Sequence, residues 1–138
     1  MGRIVALDYG KKRTGIAVSD PLKLIAGGLT TLPSNEIISF LKQYVIDNFV
    51  DLFILGDPLQ MNYKPSENRE RVLKFKKDLQ RSFPNIEIQM VDERFTSLLA
   101  HQVMIDGGLK KKDRQNKALV DELSATILLQ SYLESNRV

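Results

Sequence analysis

At three places in this chain acids stand where buried elements begin or end. Asp8 follows the apolar run Ile4-Val5-Ala6-Leu7. Asp92-Glu93 follow the alternating segment Ile86 to Val91, and Asp121 falls in the first turns of the last helical pattern. Charged groups are seldom buried without a partner. Carboxylates that converge from separate elements repel one another, and a divalent cation relieves that repulsion by taking their oxygens as ligands. Two such cations about 3.5–4 Å apart can activate a water and stabilise the leaving oxygen in phosphodiester cleavage. The plainer reading of each acid is a cap, a salt-bridge partner or a solvated side chain. In the last helix Asp121, Ala125, Leu128 and Tyr132 share one face. Glu122 begins a similar row with Thr126, Leu129 and Leu133, so helical spacing admits either acid.

The elements that must position these groups follow from periodicity. Ile4 to Tyr9 reads as a strand covered on both faces, Gly10 to Gly15 as a turn, and Ile16 to Ser19 as a second strand stopped by Asp20-Pro21. Ile25 to Leu32 forms a third, so three adjacent strands suggest an antiparallel meander. Ser34 is expected as the N-cap of a helix carrying the stripe Ile37, Leu41, Tyr44, Val45 and Phe49. Asp51 to Leu55 is a short buried strand ended by Gly56-Asp57-Pro58. Val72, Phe75, Leu79 and Phe83 mark a second helix, with Glu67 and Glu70 near its positive end and Pro84 closing it. Ile86 to Val91 is the fifth strand. A helix runs from about Ser97 to Gly107-Gly108, with Leu99, Val103 and Met104 as its apolar residues. After a basic loop, 118–135 is the last helix. The order βββαβαβαα implies an α/β fold: one mixed five-stranded sheet with helices on both faces.

Composition bounds the chemistry. The 138 residues fit one domain, and two-lobed nucleotide-binding enzymes are excluded by length. There is no cysteine and a single histidine, His101, so thiolate catalysis, disulfides, iron–sulfur clusters and multi-histidine metal sites are excluded. Any metal is held mainly by oxygen, which favours Mg²⁺ or Mn²⁺. No signal peptide or membrane span is visible, so the expected compartment is the cytoplasm. The formal charge of +3 permits a polyanionic partner without requiring one. Lys11-Lys12-Arg13 could meet a nucleic-acid backbone, or could be a solvated turn. Lys110, Lys111, Lys112, Arg114 and Lys117 put five basic residues just before Asp121, where they could bring phosphates to the carboxylates. The six basic residues of the 69–81 helix read mostly as its wet face, and His101 as a helix-surface residue. The Tyr and Phe residues mostly fall on apolar stripes and read as core.

Ala6-Leu7-Asp8-Tyr9-Gly10-Lys11-Lys12-Arg13-Thr14-Gly15-Ile16-Ala17-Val18-Ser19-Asp20-Pro21 resembles the opening motif of the YqgF/RuvX family. Val91-Asp92-Glu93-Arg94-Phe95-Thr96-Ser97, followed by Ala100, resembles its second motif. Lys117 to Leu133, around Val120-Asp121 and Leu128 to Leu133, resembles its third. The resemblance covers essentially the whole chain. It implies a ribonuclease H-like fold with 1–138 as a single nuclease domain. It implies a divalent-metal-dependent endonuclease that matures the 5′ end of pre-16S ribosomal RNA, although some members are treated as Holliday junction resolvases. By motif position Asp8, Glu93 and Asp121 are the expected catalytic, metal-binding acids, with Asp8 bridging two ions. The expected partner is nucleic acid, structured RNA before branched DNA, contacted by Lys11, Lys12, Arg13, Arg94, Lys110, Lys111, Lys112, Arg114 and Lys117. The protein is expected as a monomer or a homodimer without a membrane partner. A binding protein that keeps the fold without catalysis is the alternative from a different class.

The chain departs from the family at Gly56-Asp57-Pro58-Leu59-Gln60-Met61-Asn62-Tyr63, where a glycine is lost and Asp57 is gained. Asp57 is expected near the site, as an added ligand or an obstacle to phosphate. The glycine turn after Asp8 also resembles the phosphate loop of actin-like ATPases, but the second lobe of those enzymes is missing.

Overall fold

A computed structural model describes residues 2–58, 67–92 and 117–135. In chain order it contains β1 (Arg3–Tyr9), β2 (Arg13–Ser19), β3 (Ala26–Pro33), a single 3₁₀ turn (Ser34–Glu36) and α1 (Ile37–Asp47). There follow β4 (Val50–Asp57), α2 (Glu67–Ser82), β5 (Glu87–Asp92) and α3 (Lys117–Ser135). The strands form one sheet in the order β3-β2-β1-β4-β5. β1, β2 and β3 pair antiparallel, while β4 pairs parallel with β1 and β5 parallel with β4. The expected meander and mixed sheet are therefore present. The helix expected from Ser97 and the His101 position lie outside the described residues.

Strand alternation sorts side chains to two faces. Val5, Leu7, Ile16, Phe53 and Leu55 face a layer made by α1 and α2, where Ile37, Leu41, Val72, Phe75, Leu79 and Phe83 are buried. The apolar stripe read in the second helix is thus its packed face. Ile4, Ala6, Ala17, Leu52 and Ile54 face α3, through Ala125, Leu128, Leu129 and Leu133. Large residues fill the first face and alanines the middle of the second, so α3 lies closer to the sheet. At Gly15 the approach is closest: an added Cβ would fall 2.0 Å from the Asp121 carbonyl oxygen. Only glycine leaves room for the helix there.

Three local expectations are corrected. Ser34 does not cap a helix with its side chain; it opens the 3₁₀ turn instead. Its hydroxyl donates to the Gly10 carbonyl at 2.6 Å and lies 2.8 Å from Thr14 Oγ1, and its amide donates to the Lys12 carbonyl at 3.0 Å. The residue is spent on bracing the β1–β2 turn. Phe49 lies beyond the end of α1 and is 69% exposed, so it is not part of the buried stripe. β4 continues through Gly56 and Asp57, which pair with Val91 and Asp92. Ladder bonds to β5 carry the strand past its glycine, and Pro58, which lacks an N–H, follows the last paired residue.

Candidate nuclease site

Asp8 is the penultimate residue of β1, beyond four buried apolar positions. Tyr9 fixes this strand end from the α2 side. Its ring stacks on Phe75 at 4.3 Å, and its carbonyl accepts from Asn68 Nδ2 at 3.3 Å. Since Ile4 and Ala6 face α3, alternation places half-buried Asp8 on that same face. Asp8 pairs across the ladder with Gly15. Gly15 in turn is the residue pressed against the Asp121 backbone. One glycine is thus the common neighbour of both acids, and β1 and α3 bring them to the same end of the same face.

The two adjacent acids of α3 meet different strands. Asp121 lies over β2, whereas the Glu122 side chain lies over Gly28 of β3, where an added Cβ would be 2.5 Å from its Oε1. Since the sheet order is β3-β2-β1, Glu122 sits one strand farther from Asp8. Asp121 accepts a hydrogen bond from Arg13 Nε at 3.0 Å, and the two side chains are 36% and 28% exposed. This ion pair was not anticipated. A signal for it lay in β2: Arg13, Gly15 and Ala17 share parity, so a reading of Ala17 toward the last helix carries Arg13 with it.

The Gly10 amide donates to the Arg13 carbonyl at 3.0 Å, closing a hairpin turn. That donor is therefore used inside the turn. Lys11 and Lys12 are exposed at its tip. Asp57 is corrected in its role. It lies on the alternate of Phe53 and Leu55 and so faces the α2 layer, not α3. There Arg69 holds it through two bonds, Nε to Oδ1 at 2.9 Å and Nη2 to Oδ2 at 3.2 Å. The hydrogen bond and the charge of Asp57 raise the pKa of the Arg69 guanidinium above its usual value. Asp92, exposed at the end of β5, shares parity with Ile88 and Met90, which pack toward α1 and α2. Glu93, Arg94, Lys110, Lys111, Lys112 and Arg114 lie outside the described residues. Lys117 opens α3, and its side chain is also outside them. Among the described residues, no group of three or more His, Cys, Asp or Glu is placed to hold a metal ion.

Comparison with known proteins agrees with this architecture. Residues 2–135 match the family model described as "RuvX: Holliday junction resolvase". A protein of Phocaeicola vulgatus is 58% identical over 137 residues, covering 99% of each chain. One of Bacteroides thetaiotaomicron is 59% identical with the same coverage, and both are named "Putative pre-16S rRNA nuclease". Among solved structures, Thermus thermophilus RuvC in complex with a Holliday junction substrate superposes with a TM-score of 0.59 at 14% identity. That likeness covers 99% of this chain and 97% of RuvC, and it shows the fold: a ribonuclease H-like sheet. With that sheet, and with identity above half along the full length of its relatives, the chain belongs to the RuvX family and is a nuclease by class.

Proposed function

We propose that residues 1–138 form one nuclease domain that hydrolyses phosphodiester bonds with Mg²⁺ or Mn²⁺. Its substrate is structured RNA, and its task is processing the 5′ end of pre-16S ribosomal RNA in the cytoplasm. The observation that carries the chemistry is Gly15, the shared neighbour of Asp8 and Asp121 on the α3 face. The name carried by relatives above 55% identity supports the RNA substrate.

The donor set fits a hard divalent cation in kind, because both described acids offer carboxylate oxygens. Asp8 and Asp121 would hold the ion together with Glu93. When bound, such an ion supplies charge relief and Lewis acidity toward the scissile phosphate. The chain's own part is to keep the carboxylates fixed from a paired strand end and a packed helix. A water is the nucleophile of this reading, since the sequence offers no Ser, Cys or His constellation for covalent catalysis. Lys11, Lys12 and Arg13 would meet substrate phosphates from the hairpin turn. Arg94, Lys110, Lys111, Lys112, Arg114 and Lys117 complete the set of cations assigned to substrate phosphates in this reading.

A second reading, cleavage of four-way DNA junctions, is favoured by the description of the matched family. A symmetric junction requires two coordinated cuts, so that activity calls for a two-fold dimer, whereas a monomer suffices for RNA processing. The deciding experiment offers a pre-16S RNA fragment and a four-way junction side by side, with Mn²⁺, while the oligomeric state is measured. Cleavage of the RNA at its 5′ flank by a monomer supports the first reading. Paired nicks in the junction by a dimer replace it with the second. Tight binding without cleavage of either would make the chain a non-catalytic binder.

A further inference from the structure

Arg13 occupies one of the two carboxylate oxygens that Asp121 could offer to a metal ion. Its Nε donates to Asp121 Oδ2 at 3.0 Å. Both backbones beneath this pair are held. The Arg13 carbonyl accepts from the Gly10 amide at 3.0 Å, in a turn braced by Ser34, and Asp121 is seated on Gly15. The side chains are not locked in the same way: they are 36% and 28% exposed, and Arg13 stands beside the exposed tip of the hairpin. Rigid backbones with a half-exposed ion pair between them make a contact that side-chain rotation alone can open.

Resting on the metal-nuclease reading, we propose that Arg13 is a positioning residue: an exchangeable counter-ion that holds the Asp121 carboxylate beside Asp8 and yields it to a divalent cation. A guanidinium and a divalent cation repel one another, and both seek the same carboxylate oxygens. The ion therefore binds by displacing Arg13 from Asp121. Released at the hairpin tip, the planar guanidinium becomes a phosphate donor beside Lys11 and Lys12. One residue then balances the acid before metal binding and serves the substrate after it.

A tie that merely fastens α3 to β2 makes a different forecast, because its loss lowers stability and leaves metal affinity alone. The test measures Mn²⁺ binding by titration calorimetry on the full chain without nucleic acid. The proteins compared are wild type, Arg13→Gln, Arg13→Met, Asp121→Asn and the double variant Arg13→Gln/Asp121→Asn. Exposed ion pairs of this kind compete weakly, so either neutral Arg13 variant should bind Mn²⁺ about two- to fivefold more tightly than wild type. The gain should vanish when Asp121 is already Asn. Two neutral replacements are used so that a folding failure of one leaves the other. Unchanged or weaker Mn²⁺ affinity in a folded Arg13 variant, with Asp121→Asn weakening it, overturns the exchange while the metal site stands. Equal affinity in wild type and Asp121→Asn removes Asp121 from metal binding, and the underlying reading falls with the proposal.

Discussion

Asp8 and Asp57 are carboxylates at the ends of adjoining parallel strands, yet their parities send them to opposite faces. Asp8 shares the α3 face with Asp121, and Asp57 is taken up by Arg69. Asp8→Asn is nearly isosteric and opens no cavity. It should abolish metal-dependent cleavage with a near wild-type thermal midpoint, checked by calorimetry beside the nuclease assay. Retained cleavage by the folded variant would remove Asp8 from the mechanism. Asp57→Asn should do the reverse. It leaves the Arg69 guanidinium charged without its bidentate acceptor, so the thermal midpoint falls. Mn²⁺ affinity should stay at the wild-type value, since Asp57 faces away from the acids. A loss of Mn²⁺ binding in Asp57→Asn would put that residue back among the ligands.

The α3 helix and the β2–β3 turn each hang on a small contact. Any side chain at Gly15 must push α3 off the sheet, because the obstacle is backbone and cannot rotate away. Gly15→Ala should cost about 1–3 kcal/mol, the usual range for overpacking, read as a shift in the urea midpoint. Gly27→Ala is the control. Among the described residues its added Cβ would meet only the Val18 carbonyl, at 4.0 Å, so it should stay within about 0.5 kcal/mol. Equal effects of the two would mean that α3 is loosely seated. In the β2–β3 turn, the backbone amide of Ile25 donates to Asp20 at 2.8 Å, and those of Leu24 and Leu22 at 2.7 and 3.2 Å. These donors, Ile25 first, lower the Asp20 pKa below its ordinary value. A carboxylate lowered in the folded state contributes stability that is present above its unfolded pKa of about 3.9 and is lost as pH falls through the folded value. Asp20→Ala should therefore be less stable than wild type near neutrality. The gap should close as acid unfolding is followed below about pH 4. A gap independent of pH would assign the loss to the side chain's shape.

The described residues form a sheet with unequal layers: bulky residues throughout the face toward α1 and α2, alanines in the middle of the face toward α3, and the proposed chemistry at the carboxyl end of the second. With a net charge of +3, substrate capture must rely on where the cations lie more than on their sum. Replacing exposed Lys11 and Lys12 by Ala should weaken RNA binding across sequences. Each phosphate that is no longer neutralised by a lysine should reduce the slope of log K against log salt by roughly 0.7–0.9. An unchanged slope in filter-binding titrations would make the hairpin tip a solvated turn. Much of this architecture is legible in the sequence, because strand and helix periods are local. The run Ile4 to Leu7, the alternation before Asp92 and the stripe Val72, Phe75, Leu79 and Phe83 each carry their burial in their spacing. Five neighbouring relations are not. Asp121 over β2 and Glu122 over β3 depend on how α3 crosses the sheet, which helical spacing does not contain. The face of Asp57 depends on β4 running two residues past its expected end, a gain of pairing with β5. Ser34 bracing the turn and Arg13 meeting Asp121 join residues 24 and 108 positions apart, Gly10 to Ser34 and Arg13 to Asp121. Amino-acid sequence determines which residues can be buried and which can carry charge. Which charges become neighbours is decided only when distant elements pack, because a contact's energy depends on distance in space and not along the chain.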